Sequence, residues 1–243
     1  MTVFDPDASL RWLFCMTHPD DEIAICAWIK RLTKAGNQVY MSWTHSTSVR
    51  HHEARRAAKI LGLKKDHLFF HHATDGKIAE EMRHLLPRFE EMIGFVEPDR
   101  IVCGAFEQGH IDHDSTNLMV NLCYSGPVLE VPFYYTYLTR RPVVNRFAVD
   151  AGQEILKLSK SEQRFKIFLA RAYPSQAIFR NLVFAEIRQR FTRLRPERLR
   201  QTERMRVQTH KDFLEPNLPE PLKSHVRRSK MWSRWEAAAR RVL

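Results

Sequence analysis

Short apolar runs, each one strand long, alternate along the early part of the chain with longer segments whose apolar positions recur every three to four residues. Trp12-Leu13-Phe14-Cys15-Met16 reads as a buried strand. Further strands are expected over Gln38–Thr44, His67–His71 and Arg100–Phe106, and a further β-rich stretch over Val128–Leu138. Between them the spacing predicts a helix from Ile23 through Leu32 closed by Gly36, and an alanine-rich helix over Arg50–Leu61 stopped at Gly62. It also predicts a helix over Ile78–Val96 interrupted at Pro87, and one from about Asp114 to Cys123. Strands alternating with helices imply a doubly wound, Rossmann-like α/β fold: a mostly parallel sheet with helices on both faces. From Gln153 the alternation stops. The pattern there predicts a helix over Glu154–Tyr173, a helical segment over Ile178–Arg206 broken at Pro196, a loop at Glu215–Pro221 and a terminal helix over Lys230–Arg241. The expected organisation is a catalytic α/β domain over 1–176 and a basic, mostly helical extension over 177–243, packed on or beside it.

A chain of 243 residues with 44% hydrophobic residues can bury a full core. No stretch reaches the roughly 18 to 20 apolar residues of a membrane span, and the first residues lack a secretory pattern, so a cytoplasmic location is expected. The four cysteines form no Cys-x-x-Cys pair and read as buried free thiols. The net charge of +11 is concentrated late, over Arg188–Arg206 and Arg227–Arg241. Such an excess suits nucleic acid, an anionic membrane surface or an anionic substrate. Neither stacking aromatic motifs nor a DNA-reading helix accompanies it, so the charge alone carries no case for nucleic acid.

Two clusters stand out, His18-Pro19-Asp20-Asp21-Glu22 and His110-Ile111-Asp112-His113, each just after an expected strand. Ligands in open α/β sheets bind beyond the carboxyl ends of the strands, so both clusters fall on that edge. His18 and Asp21, three apart at a strand-to-helix turn, can reach one cation, leaving Asp20 free to face a metal-bound water as general base. In the second cluster one imidazole can complete the metal shell while Asp112 holds the other near a reacting carbonyl. Taken singly, the first cluster is also what an acidic helix cap looks like, and the second a polar loop in a chain with 12 histidines. The doublets His51-His52 and His71-His72 are expected to carry no chemistry.

The ordered pair of motifs resembles the PIG-L/LmbE family of zinc-dependent de-N-acetylases. The likeness extends to Arg50-His51-His52-Glu53 before Leu61-Gly62, to Asp75-Gly76, and to Lys166 followed by Tyr173-Pro174-Ser175-Gln176. It spans about Arg11 to Gln176. Thr17 and Ile111 depart from the common pattern, where alanine and proline are frequent. The resemblance implies Zn2+ held by His18, Asp21 and His113, with Asp20 as general base. It implies His110 at the oxyanion or leaving amine, oriented by Asp112, and Arg50 and Asp75 holding the sugar. The implied substrate is an N-acetylated sugar or glycoconjugate, which the basic charge would suit if anionic; a homo-oligomer is left open. Two alternatives remain at this stage. One is a basic module binding nucleic acid or anionic lipid around a non-catalytic metal site; the other is a zinc amidohydrolase for a larger acyl group. Trp232 and Trp235, three apart, suit sugar stacking or, more commonly, core contacts.

Overall fold

The structure, a computed structural model, describes residues 2–7, 9–135, 143–178, 180, 183–184, 186–187 and 199–243. Strand β1 (Arg11–Met16) shows why the fold forms. Trp12, Phe14 and Met16 point into one apolar cluster and Leu13 and Cys15 into another, so both faces of the strand are buried. A strand of that composition belongs at the centre of a parallel sheet covered on both sides. It pairs in parallel with β2 (Gln38–His45) on one flank and β4 (Arg100–Gly104) on the other. With β3 (Leu68–Ala73), β5 (Val128–Val131), β8 (Glu154–Lys157) and β9 (Thr202–Val207) the sheet has, among the described residues, seven strands in the order β3-β2-β1-β4-β5-β9-β8. The first five are parallel, while β9 runs antiparallel to β5 and β8 antiparallel to β9. A two-stranded ribbon, β6 (Tyr134–Tyr135) with β7 (Val143–Val144), stands beside it.

Helices α1 (Cys26–Lys34), α2 (Ser48–Leu61) and α5 (Lys160–Ala170) supply the first apolar cluster. Helices α3 (Ile78–Val96), α4 (Ile111–Cys123), α6 (Leu222–Arg227) and α7 (Lys230–Ala239) supply the second. The expected doubly wound α/β architecture is therefore present.

Several expectations are corrected. Helix α3 runs through Pro87 without a break, because Pro87 and Arg83 both face solvent and water can take the carbonyl that the proline leaves without a partner. Helix α4 begins at Ile111, earlier than the spacing predicts, because the His110 ring accepts the Asp112 N–H and caps it. The helices expected over Glu154–Tyr173 and Ile178–Arg206 give way at Glu154–Lys157 and Thr202–Val207 to strands β8 and β9. Pro196 and residues 188–198 lie outside the described residues. The sheet also crosses the expected division at residue 176, since β9 from beyond it lies between β5 and β8. Trp232 and Trp235 are core: Trp235 is fully buried and its indole N–H donates to the Phe213 carbonyl at 2.9 Å.

The charges of β9 explain why its pattern misleads. Glu203 is fully buried and accepts the N–H groups of Ala27 and Trp28 at the start of α1, at 2.9 and 2.8 Å, and the Lys166 ammonium at 3.0 Å. Arg206 bridges Glu130 at 2.8 Å and Glu107 at 3.3 Å and lies over the Phe147 ring. Arg204 is buried and donates to Gln153 at 2.9 Å. These arginines hold the sheet together and are not a solvated basic face. Glu203→Ala strips two helix-terminal N–H groups and one buried ammonium of their acceptor. We expect it to cost about 3–5 kcal/mol of stability, read from denaturant unfolding; a loss under about 1 kcal/mol contradicts the assignment.

Candidate metal and hydrolase site

Every strand of the parallel block delivers side chains to one place beyond its carboxyl end. The loop after β1 carries His18, Asp20 and Asp21, and α2 after β2 brings Arg50. The turn after β3 brings Asp75, and the segment after β4 brings His110 and, on the first turn of α4, His113. The strand order reverses between β1 and β4, so the site sits at the switch point where such sheets bind ligands.

His18 Nδ1 lies 3.1 Å from His113 Nε2, His113 Nε2 lies 3.4 Å from Asp21 Oδ1, and His18 Nδ1 lies 4.0 Å from Asp21 Oδ2. Tetrahedral zinc bonds of about 2.0–2.1 Å put donors about 3.3 Å apart, close to two of these three separations. These residues are among the described groups able to hold a metal ion, and so are His18, His110 and Asp112. Local structure fixes each donor. Asp21 accepts the N–H groups of Thr17 and His18 at 3.0 and 2.8 Å through Oδ2, leaving Oδ1 toward His113. Burial would raise the Asp21 pKa, but His113 and His18 outweigh it and bring it down to about 2. Burial would likewise lower His18, yet its hydrogen bonding to the Asp112 and Asp75 carboxylates and the charge of Asp21 hold it up to about 10. Three carboxylates around one imidazole make this a place that favours positive charge, which fits a divalent cation.

The other nitrogen of His18 meets the carboxylates of Asp75 at 3.2 Å and Asp112 at 3.6 Å. Such outer carboxylates fix the tautomer and orientation of a ligating imidazole. Asp112 sits 4.0 Å from His110 Nδ1, so its side chain serves His18 more closely than the His110 it was expected to orient. Its contact with His110 is through its backbone N–H, at 3.2 Å. That bond makes Nδ1 of His110 an acceptor and places the proton of the neutral ring on Nε2. Burial, reinforced by His113, pushes His110 down to about 4 and favours that neutral form.

Asp20 lies beside the donor set without joining it. Its φ of 118° is left-handed, a costly backbone for a non-glycine residue. Its N–H donates to Glu22 at 3.1 Å, and Arg50 donates to its carboxylate at 3.3 Å and to the Pro19 carbonyl at 2.8 Å. Burial, then the charge of Asp21, pushes its pKa well up. Glu22 is itself buried and receives the Tyr173 hydroxyl, while Glu53 on α2 accepts the N–H and hydroxyl of Ser175 at 2.9 and 2.6 Å. The Lys166-to-Gln176 segment is thereby tied to the loop that strains Asp20.

These residues face a cavity of about 360 Å³, whose other walls include Ile23, Phe133, Tyr134, Val144, Ile178 and Leu199. Arg50 and Asp75 both line this cavity, and the Asp75 side chain is 57% exposed. Sequence reasoning missed Phe133 and Tyr134, whose rings lie 5.0 and 5.5 Å from that of His113. Gly109 is the trace of them: a Cβ there would fall 1.8 Å from the Tyr134 carbonyl oxygen. The doublets stay apart from the cavity lining, with His51 stacked on Phe70 and His71 on Phe89.

The model of the PIG-L family, GlcNAc-PI de-N-acetylase, matches residues 13–124. The match runs from within β1 through α4 and takes in every candidate donor. Among solved structures, a triple mutant of a deacetylase of the teicoplanin biosynthetic pathway is 14% identical. It covers 81% of this chain and 97% of its own, with a TM-score of 0.62. The zinc-inhibited form of teicoplanin deacetylase is 12% identical, covering 83% of this chain and 100% of its own, at a TM-score of 0.59. N,N'-diacetylchitobiose deacetylase from Pyrococcus horikoshii is 17% identical, covering 84% and 85%, at a TM-score of 0.52. At these identities the likeness establishes a shared fold. No curated protein matches the chain significantly. No helix of the described residues is long and apolar enough to cross a membrane.

Proposed function

We propose that the protein is a zinc-dependent hydrolase that removes the N-acetyl group from an amino-sugar derivative of the N-acetylglucosamine type and releases acetate. The observation that carries this reading is a strained, mostly buried carboxylate, Asp20, standing outside a His18–Asp21–His113 donor set at the wall of a ligand-sized cavity. The match to the PIG-L family model and the fold shared with deacetylases support it. Free cysteines, three of them buried, suit a reducing compartment and support a cytoplasmic location.

His18, Asp21 and His113 would hold the metal, and a zinc ion there supplies a water of pKa near 7 and polarises the acetamide carbonyl. Asp20 takes a proton from the attacking water; burial and the neighbouring Asp21 raise its pKa and make it a stronger base than an exposed carboxylate. Nε2–H of His110 donates to the oxygen that develops negative charge, and the neutral ring does so without first acquiring a proton. The proton gathered by Asp20 is then available to the departing amine. Arg50 and Asp75, both on the cavity wall, would hold the sugar, and Asp112 keeps the His18 ring in register from behind.

Product analysis by mass spectrometry on a panel of N-acyl aminosugar glycosides tests this reading. Acetate and the free amine are expected from N-acetylglucosaminides, with slower turnover of longer acyl chains. Preferred turnover of the longer chains moves the assignment to a zinc amidohydrolase of other specificity. No hydrolysis of any member by zinc-loaded protein overturns the enzyme reading.

A further inference from the structure

Helix α7 lies far beyond the matched residues in sequence, yet it reaches the turn that carries Asp75. Trp232, Trp235, Ala238 and Ala239 are buried in the cluster shared with α3 and α4, which fixes the helix against both. On the same helix Arg234 grips Glu80 with two nitrogens, Nε to Oε1 at 2.6 Å and an amino group to Oε2 at 2.7 Å. That amino group also donates to the carbonyl oxygen of Gly76. A bidentate guanidinium–carboxylate pair sets the plane of the guanidinium, so the third bond is aimed and not incidental.

Gly76 is the tip of the turn between β3 and α3. Its φ of +73° is a conformation that side chains resist, while a Cβ there would meet nothing within 4 Å, so glycine is needed for the backbone and not for space. The turn is held from two sides. Asp112 accepts the Gly76 N–H at 2.6 Å and the Ile78 N–H at 3.3 Å; Arg234 takes the Gly76 carbonyl. The residue before the glycine is Asp75, whose carboxylate lies 3.2 Å from His18 Nε2.

We infer that Arg234 is a positioning residue for the metal centre, acting through the Gly76 carbonyl to hold Asp75 against the outer nitrogen of His18. The inference rests on the reading of His18 as a metal ligand. It gives the C-terminal helix a part in the chemistry: the family-matched half supplies every donor, and the far end of the chain locks the turn that orients one of them. Arg234 touches neither metal nor substrate, so its effect belongs in metal affinity and in the coupling to Asp75.

Zinc affinity, measured by competition with a chromophoric chelator, tests this. Asp75→Asn removes a direct outer partner and is expected to weaken zinc about 10- to 100-fold; Arg234→Ala, one step further out, about three- to tenfold. Arg234→Lys keeps a donor for the Gly76 carbonyl and is expected to recover most of that loss. Glu80→Gln leaves one of the two acceptors that set the guanidinium plane and is expected to weaken zinc, by less than Arg234→Ala does. In the Asp75→Asn background Arg234→Ala should add nothing, since the path it acts through is already cut. A merely structural Arg234 would lower the melting temperature of both backgrounds and weaken zinc equally in each, which overturns the inference. Unchanged zinc affinity in Arg234→Ala overturns it as well. Wild-type protein that binds no zinc overturns the underlying reading of the site, and the inference with it.

Discussion

Asp20→Asn is expected to bind zinc with wild-type affinity and to lose about 10²–10⁴-fold in turnover, the usual contribution of a positioned general base. Asparagine is the informative replacement here. It is among the few residues that tolerate a left-handed backbone, so the loop with φ of 118° at this position is preserved. Its side-chain oxygen can still accept from Arg50, which lies 3.3 Å from Asp20 Oδ1. What the substitution removes is the carboxylate that accepts a proton. The measurement is acetate release under saturating substrate, alongside zinc content. Normal turnover would show that Asp20 is not the base. Loss of zinc together with turnover would show instead that Asp20 belongs to the donor set.

Asp21→Ala has the opposite signature, with metal lost and activity lost with it. Metal-binding free energies of about 10–16 kcal/mol in structural zinc sites, spread over their ligands, give roughly 3–4 kcal/mol per ligand. At about 1.4 kcal/mol per tenfold change, removal of one ligand weakens zinc by about two to three orders of magnitude. Asp21 is the sole carboxylate in the set, so its loss also removes the charge that keeps His113 and His18 drawn inward. The Thr17 and His18 N–H groups lose their acceptor too, an added cost of about 1–3 kcal/mol in stability, so thermal unfolding should accompany the chelator titration. Folded Asp21→Ala protein that retains wild-type zinc affinity would remove Asp21 from the shell.

The central sheet was legible because its strands are written in consecutive apolar residues. In Trp12-Leu13-Phe14-Cys15-Met16 every position is buried, and the two faces feed different clusters. The candidate site was legible for the same reason. A motif placed directly after a buried strand must emerge at the sheet's carboxyl edge, and two such motifs meet there. The edge beyond β5 was not legible. Thr202-Glu203-Arg204-Met205-Arg206-Val207 carries charges that composition assigns to a surface helix. Each of them is buried against a partner 51 to 176 residues away, at Ala27, Gln153 and Glu130 among others. Pairings of that separation leave no periodicity in either segment. His110 shows a smaller version of the limit. The start of α4 is set by an imidazole accepting a backbone N–H, where capping is commonly read from serine, threonine, aspartate or asparagine. Arg234 is the same lesson at the site itself, since nothing local marks an arginine near the end of the chain as a neighbour of Gly76.

The most direct measurement is a zinc titration of the metal-free protein with acetate release from an N-acetylglucosaminide followed at each step. The account predicts no release without metal and a rate that rises in proportion to bound zinc until one ion per chain is reached. Acetate release by the metal-free protein, or a zinc-saturated protein that releases none from any N-acetylated sugar, would contradict it.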